Sequence, residues 1–203
     1  MKIILVDYGI GNLRSVRKTL ERVGAAVIQT DDPKLLLSGD KVVLPGVGAF
    51  KDGMAGLQHR GMIPVLNQVV DQKIPLLGIC LGMQVLFARS SEMGHSPGLG
   101  FVEGEVKKFS MVGLKIPHTG WNQLHFTASS PLFQGVKDDA YVYFNHSFYC
   151  SQTEPSSAIA HTDYGVVFTS AIQSGSIYGV QFHPEKSQET GLTILKNFVE
   201  LCE

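Results

Sequence analysis

Apolar residues run unbroken through Ile3-Ile4-Leu5-Val6 and stop at Asp7, which predicts a strand over Lys2–Asp7 that is buried on both faces. A Gly-rich turn follows, Tyr8-Gly9-Ile10-Gly11-Asn12, and the period then changes. Leu13, Val16, Leu20 and Val23 recur at helical spacing, with Arg14, Arg17, Lys18 and Glu21 between them. Ala25–Gln29 and Lys41–Leu44 read as the second and third strands, the latter running into Pro45-Gly46-Val47-Gly48. Ile63–Val70 reads as a helix starting near Pro64, and Leu76–Ile79 as a short apolar strand. Strands that alternate with helices predict a mainly parallel central sheet flanked by helices.

The second half has a different rhythm. Phe101–Phe109, Tyr141–Phe144, Ser157–His161, Val166–Gln173 and Ile177–Phe182 are strand-like, with turns such as Ser174-Gly175-Ser176 between them. Much of this half is expected to be antiparallel and attached to the first sheet. The fold class is therefore α/β with an added antiparallel, strand-rich C-terminal half. Glu189–Leu201 closes the chain as an amphipathic helix, with Leu192, Leu195, Phe198 and Val199 on one face. No repeat or linker interrupts the pattern, so one domain over 1–203 is expected.

Composition narrows the classes of function. With 44% hydrophobic and 17% charged residues, the chain has globular values and no low-complexity signature. A formal net charge of −1, without a Lys/Arg cluster, leaves no electrostatic footprint for nucleic acid. Three widely separated cysteines, Cys80, Cys150 and Cys202, support neither a disulfide framework nor a zinc ribbon, and a reducing, cytoplasmic setting is expected. The N-terminal apolar run is too short for a signal-peptide core. The longest one, Ile74 to Ala88, is broken by Pro75, Gly78, Gly82 and Gln84 and is too short to span a bilayer, so no membrane partner is expected.

The chemistry concentrates at Gly78-Ile79-Cys80-Leu81-Gly82-Met83-Gln84. A strand that ends in Gly-x-Cys-x-Gly and passes directly into a helix is the cysteine version of a nucleophile elbow. The two glycines suit a turn with no room for a Cβ. The helix start sets orphan N–H groups and partial positive charge beside the sulfur, an arrangement that suits an anion. A thiol usually needs a neighbouring base to act as a nucleophile. Of seven histidines, His183 has the most telling context, in Gln181-Phe182-His183-Pro184-Glu185. Pro184 biases His183 toward extended chain, where residues two apart share a side. Glu185 can then hold the imidazole in one tautomer while its other nitrogen faces the sulfur. A lone buried cysteine is more often a packing residue and a lone His-Pro more often a turn; the elbow, the histidine and the carboxylate together point to catalysis.

Acyl transfer also needs N–H donors for an oxyanion. The backbone of Leu81 at the helix start and the Pro45-Gly46-Val47-Gly48 loop are two sources, and Gln84, one helical turn after Cys80, reaches the same pocket. Nucleotide motifs fail. Gly9-x-Gly11 and Gly46-x-Gly48 meet Arg14 and Lys51 where a third glycine belongs, and there is no Walker-type Gly-Lys-Ser/Thr. His118, His125 and His146 lack metal-ligand spacing, so neither metal nor cofactor is expected.

The elbow together with His183-Pro184-Glu185 resembles the class I (triad) glutamine amidotransferases. Asp7-Tyr8-Gly9-Ile10-Gly11-Asn12, Pro45-Gly46-Val47-Gly48-Ala49-Phe50, Pro97-Gly98-Leu99-Gly100, His118-Thr119-Gly120-Trp121-Asn122, Tyr143-Phe144-Asn145-His146-Ser147-Phe148 and Gln181–Ser187 extend the likeness along the chain. They are similar to the glutaminase subunits of imidazole glycerol phosphate synthases, from histidine biosynthesis. The resemblance implies hydrolysis of glutamine through a Cys80 thioester, with His183 as base and then acid and Glu185 as its orienter. It implies that Gly48, Gln84 and the Ser147-Phe148 backbone hold glutamine, and that the Gly46-Val47 peptide completes the oxyanion hole. It implies a heterodimer with a (βα)8-barrel cyclase, which receives ammonia on a phosphoribosylated formimino-carboxamide nucleotide. Asn12, Trp121, Tyr143 and Lys186 match positions at or near that docking face, and the family is poorly active without partner and nucleotide. Asn145 and Phe148 depart from the Val and Tyr common in relatives.

The alternatives are a glutaminase for another synthase (pyridoxal phosphate or anthranilate), a stand-alone γ-glutamyl hydrolase, and a catalytically silent docking subunit. The first shares the triad but differs around Asp7–Asn12 and Tyr143–Phe148. The second would be fully active alone, and the third would not be labelled at Cys80 by a reactive glutamine analogue.

Overall fold

A computed structural model describes residues 1–110, 113–151 and 157–203. Its first half alternates as the periodicity predicts: β1 (Lys2–Val6), α1 (Leu13–Arg22), β2 (Ala26–Thr30), β3 (Lys41–Gly46), α2 (Phe50–His59), α3 (Met62–Asp71), β4 (Leu76–Cys80) and α4 (Leu81–Leu86). Short strands follow: β5 (Phe87–Ser90), β6 (Ser96–Pro97), β7 (Val102–Lys108), β8 (His118–Gln123), β9 (His125–Phe126), β10 (Tyr141–His146) and β11 (Phe148–Ser151). The chain closes with β12 (Ala158–Asp163), β13 (Val167–Ser174), β14 (Ile177–Val180) and α5 (Gln188–Glu200).

One large sheet runs in the order β2-β1-β3-β4-β14-β13-β11-β7-β5-β6, with β12 and β9 branching from β13. From β2 to β14 all neighbours are parallel. From β14 through β13 and β11 to β7 they are antiparallel. β8 and β10 form a separate antiparallel ribbon. The expected α/β fold with an antiparallel, strand-rich second half is what the chain adopts. β14 decides where the site lies: it comes from the second half, yet docks parallel to β4 with Val180 opposite Ile79.

Both faces of the parallel part are covered, which explains the unbroken apolar runs. Ile3, Leu5, Val43, Leu77 and Val180 belong to one buried cluster with Val16 and Leu20 of α1 and Leu195 and Phe198 of α5. Ile4, Val6, Val42, Leu44 and Leu76 turn to the other face, against Leu57 of α2, Leu66 of α3 and Val85 of α4. Lys41, buried at the start of β3, donates through Nζ to the carbonyls of Phe198 (2.8 Å) and Cys202, capping the end of α5.

Helix α2 and strands β5, β6, β8, β9 and β11 lie outside the periodicity reading. Helix α2 carries Gly53 and Gly56, poor helix formers, because it runs close to its neighbours. A Cβ on Gly56 would sit 2.5 Å from the Tyr8 carbonyl, and one on Gly53 3.2 Å from the Leu81 side chain. Strand β8, His-Thr-Gly-Trp-Asn-Gln, has no apolar alternation and pairs only with β10, whose Val142 and Phe144 supply the ribbon's apolar core residues. Among the described residues, no helix is long and apolar enough to cross a membrane.

Candidate active site

Cys80 ends β4 and directly precedes α4, with φ 55° and ψ −110°. Such a backbone conformation in a residue with a Cβ costs on the order of 1–3 kcal/mol and is held only by its surroundings. Those surroundings leave no slack. A Cβ on Gly78 would stand 2.7 Å from the Gly82 oxygen and the Met83 nitrogen, and one on Gly82 would drive into the Leu44 carbonyl. Gly78 and Gly82 are thus fixed by close approach, as the elbow requires.

The sulfur opens on a cavity of about 270 Å³. Six residues expected at the site line it beside Cys80: Val47, Gly48, Leu81, Gln84, Ser147 and Phe148. Gly46 stands behind that wall. It belongs to β3, which runs two residues further than the apolar pattern suggested, and lies in register with Cys80. A Cβ there would strike the Tyr8 hydroxyl, so glycine is what lets β3 pass so close to the elbow.

Because β14 pairs with β4, the chain leaving it carries Gln181 and His183 to the sulfur. His183 Nδ1 lies 2.9 Å from Glu185 Oε1, and both side chains are almost wholly buried. Nδ1–H donates to the carboxylate, which leaves Nε2 for Cys80. Burial alone pulls the His183 pKa down, but hydrogen bonds to Cys80 and Glu185, and the charges of both, outweigh it and hold the imidazole well above its ordinary value. One detail corrects the sequence reading. Strand β14 ends at Val180, and Pro184–Lys186 is a 3₁₀ turn, so Glu185 reaches His183 by a turn and not by alternation along extended chain. The turn is locked to β10: His183 N donates to the Tyr143 carbonyl (2.9 Å), while Ser187 Oγ donates to the His183 carbonyl (2.7 Å) and accepts from Tyr143 N (2.9 Å).

Of the residues expected at a docking face, Trp121, Tyr143 and Lys186 sit on the same ribbon and turn. Trp121 on β8 is 46% exposed and meets Tyr143 of β10 edge-on, with ring centroids 6.0 Å apart. Lys186 Nζ stands 5.5 Å over the Tyr143 ring. Asn12 is exposed at the start of α1, which packs against the Pro184–Lys186 turn.

Four polar residues at or behind the site were not singled out for a role there. Glu92 lines the cavity and accepts from Phe50 N (2.7 Å). Gln181 Nε2 donates to Cys80 Sγ (3.7 Å) and its Oε1 accepts from Gln84 Nε2 (3.0 Å). His118 and His146 touch through their rings behind Phe148. The position of Gln181 in the Gln-Phe-His-Pro-Glu run was a signal, as was that of His118 and His146 in the segments that carry the resemblance; Glu92 lies in a stretch with no local pattern. His125 gathers with Asp138 and Asp139 although its spacing suggested no cluster. All three are exposed, His125 pairs with Asp139 (2.9 Å) and Asp138 accepts from Phe126 N (2.8 Å).

Comparisons with known proteins give the family. The family model described as "Glutamine amidotransferase class-I" matches residues 4–202. This chain belongs to that family. Among curated relatives, imidazole glycerol phosphate synthase subunit HisH of Moorella thermoacetica is 48% identical over 199 residues, 98% of this chain and 94% of that protein. The subunit of the same description from Thermosynechococcus vestitus is 49% identical, over 99% of this chain and 97% of its own length. The structure of PurLQS from Thermotoga maritima matches all of this chain and 99% of its own with a TM-score of 0.79 at 17% identity, a likeness of fold alone. The glutaminase domain of Trypanosoma brucei CTPS matches with a TM-score of 0.69 at 17% identity, over 98% of this chain and 94% of that one. As a class-I amidotransferase, the chain is an enzyme of glutamine.

Proposed function

We propose that this chain is the glutaminase subunit of an imidazole glycerol phosphate synthase, and that it supplies ammonia to a (βα)8-barrel cyclase in histidine biosynthesis. The observation that carries the chemistry is the convergence of Cys80, at the end of β4 and in the cavity wall, with His183 and Glu185 in the turn that follows β14. The near full-length likeness to HisH subunits supports the choice of pathway.

Glutamine enters with its side-chain amide over Cys80, and Gly48, Gln84 and the Ser147-Phe148 backbone hold it. Glu92, the carboxylate in the cavity wall, suits the α-ammonium of an amino acid. The Cys80 thiolate attacks the amide carbon, and the oxyanion meets N–H donors from Leu81 and the Gly46-Val47 peptide. His183, protonated through its pairing with Cys80 and Glu185, gives its proton to the departing nitrogen, and ammonia leaves behind a glutamyl thioester. His183 then takes a proton from water, which attacks the thioester to release glutamate and restore the thiolate. Asn12, Trp121, Tyr143 and Lys186 form the face toward the cyclase.

The test is glutamate release measured for the chain alone, with the barrel cyclase, and with cyclase plus its nucleotide. Activity is expected to be poor alone and to rise at each addition. Full activity alone would argue for a stand-alone hydrolase, and no stimulation by the cyclase would sink the pathway assignment.

A further inference from the structure

Along one wall of the cavity, a line of polar groups with His118 and His146 buried at its centre runs from the β8–β10 ribbon to the catalytic sulfur. His118 and His146 face each other across the ribbon, and His118 Nδ1 lies 3.0 Å from His146 Nε2. At one end, Asn122 Nδ2 approaches His118 Nε2 at 3.3 Å. At the other, His146 Nδ1 lies 2.7 Å from the Phe148 carbonyl. That carbonyl also receives Gln84 Nε2 at 3.1 Å, and the line continues through Gln181 to Cys80.

The chemistry of the two anchors dictates every proton. A backbone carbonyl only accepts, so His146 Nδ1 carries hydrogen and its Nε2 is left as an acceptor. His118 Nδ1 must then donate, and its Nε2 must accept. The far anchor agrees: Asn122 Nδ2 also donates to the Asp163 carbonyl (2.8 Å) and its Oδ1 accepts from Gln123 N (2.8 Å), so the amide can present only N–H to His118. The same carbonyl orders the other arm. Gln84 must turn its nitrogen toward Phe148 O, its second hydrogen goes to Gln181 Oε1, and Gln181 is left with N–H for the sulfur. Gln84 therefore offers glutamine only its carbonyl oxygen.

We propose that Asn122, His118 and His146 form a one-way hydrogen-bond relay that fixes the Phe148 carbonyl and, through Gln84 and Gln181, the donors facing glutamine and Cys80. His146 is a positioning residue: it acts through Phe148 and Gln84. Burial supports this by pushing His118 down to about 4 and His146 to about 3, with the charges of His118 and His183 also lowering His146, so each imidazole holds a single proton at neutral pH. Both are enclosed by aromatic rings: His118 stacks on Tyr164 and Phe144, and Phe109 stands edge-on to His146. The relay starts one residue from Trp121, so a protein seated on that ribbon would press on its first donor.

The inference rests on the glutaminase reading, and two experiments keep them separate. In ¹⁵N NMR of the wild-type chain bound to the cyclase, both histidines should show a protonated Nδ1 and a bare Nε2, with a coupling across the His118–His146 hydrogen bond. An Nε2–H tautomer at either residue overturns the relay whatever the enzyme does. In steady-state kinetics of the cyclase complex, His146→Leu should raise KM for glutamine or lower kcat so that kcat/KM falls roughly tenfold or more. His146→Asn, which keeps a donor near the Nδ1 position, should restore much of it. Synthesis from ammonium salts by the same complexes should stay at the wild-type level, which shows that the subunits still fold and assemble. Unchanged glutamine kinetics in His146→Leu, or no rescue by asparagine, overturns the proposal. A wild-type chain that releases no glutamate overturns the glutaminase reading, while the NMR still decides the relay.

Discussion

The two sides of the cavity are built by different physics. On the β4–α4 side the backbone does the positioning. Cys80 is held at positive φ because Gly78 and Gly82 let β3, β4 and α4 approach until no Cβ fits between them. On the β8–β10 side, hydrogen bonds do it: Ser187 Oγ and the Tyr143 main chain hold the His183 backbone, and the side chains of His118, His146 and Gln84 hold Phe148. A steric frame admits no partial failure, whereas a hydrogen-bonded one can be weakened link by link. The nucleophile is thus permanently set, and the Ser147-Phe148 backbone and the His183 main chain belong to the adjustable side, the one that also carries Trp121 and Tyr143.

The largest effects should come from the steric side. Cys80→Ala in the cyclase complex should cut glutamine-dependent synthesis by about 10⁶-fold, the scale at which loss of a nucleophile leaves only background. Synthesis from ammonium salts should persist. Loss of both activities would mean that Cys80 holds up the fold instead of attacking glutamine.

Next in size is the base. Glu185→Gln keeps the shape of the turn but removes the carboxylate from His183, and kcat should fall on the order of 10³–10⁴-fold, as when a triad loses its orienting acid. The pH dependence sharpens the point. His183 is held above its ordinary value of 6.5, so its proton contributes to stability fully below that value and is lost as pH rises through the raised one. Glutamine use should therefore fall in alkaline solution, where His183 loses the proton it gives to the departing nitrogen. In Glu185→Gln one of the raising influences is gone, and that alkaline limb should move to lower pH. A limb that stays in place would show that Glu185 does not set the charge of His183.

How much of this was legible depends on the same division. Backbone demands leave local signatures: Gly78-x-Cys80-x-Gly82 announced the elbow and the period change from Ile3–Val6 to Leu13–Val23 announced strand and helix, whereas Pro184 marked His183 as extended without revealing the 3₁₀ turn that carries Glu185. Side-chain networks leave none. His118 and His146 are 28 residues apart and meet only because β8 and β10 pair in one register. Glu92 comes from a turn after β5, and α2 was hidden because close packing called for glycines in a helix. The likeness to relatives supplied Ser147, Phe148 and the docking residues, for which spacing offered no argument.

The exposed edge of the ribbon gives an effect of middle size. Trp121→Ala removes a half-exposed aromatic that rests on Tyr143 without filling the core. Affinity for the barrel cyclase, measured by titration, should weaken roughly 10–100-fold, as for an aromatic anchor of an interface. The chain's own unfolding temperature should hardly move. Unchanged affinity would take this face out of the partner contact and leave the adjustable side without its regulator.

The smallest effect should come from Asn145, which shares the ribbon but is exposed at the cavity rim. Its Oδ1 accepts from Thr119 Oγ1 (3.0 Å), a cross-strand bond in exposed surroundings, and it lines the cavity beside His146. Asn145→Val loses that bond and gains a β-branched residue suited to a strand, so the two changes should cancel to within about 1 kcal/mol of stability. KM for glutamine should change by no more than roughly threefold, since rim contacts that water can replace contribute little. The contrast with His146 one residue on is the useful measurement: neighbours on opposite faces of β10 should differ widely in effect, because only the inward one takes part in a buried, fully paired network. If Asn145→Val matched His146→Leu, the ribbon would be acting as a single stiff element, and the distinction between a steric side and a hydrogen-bonded side would fail.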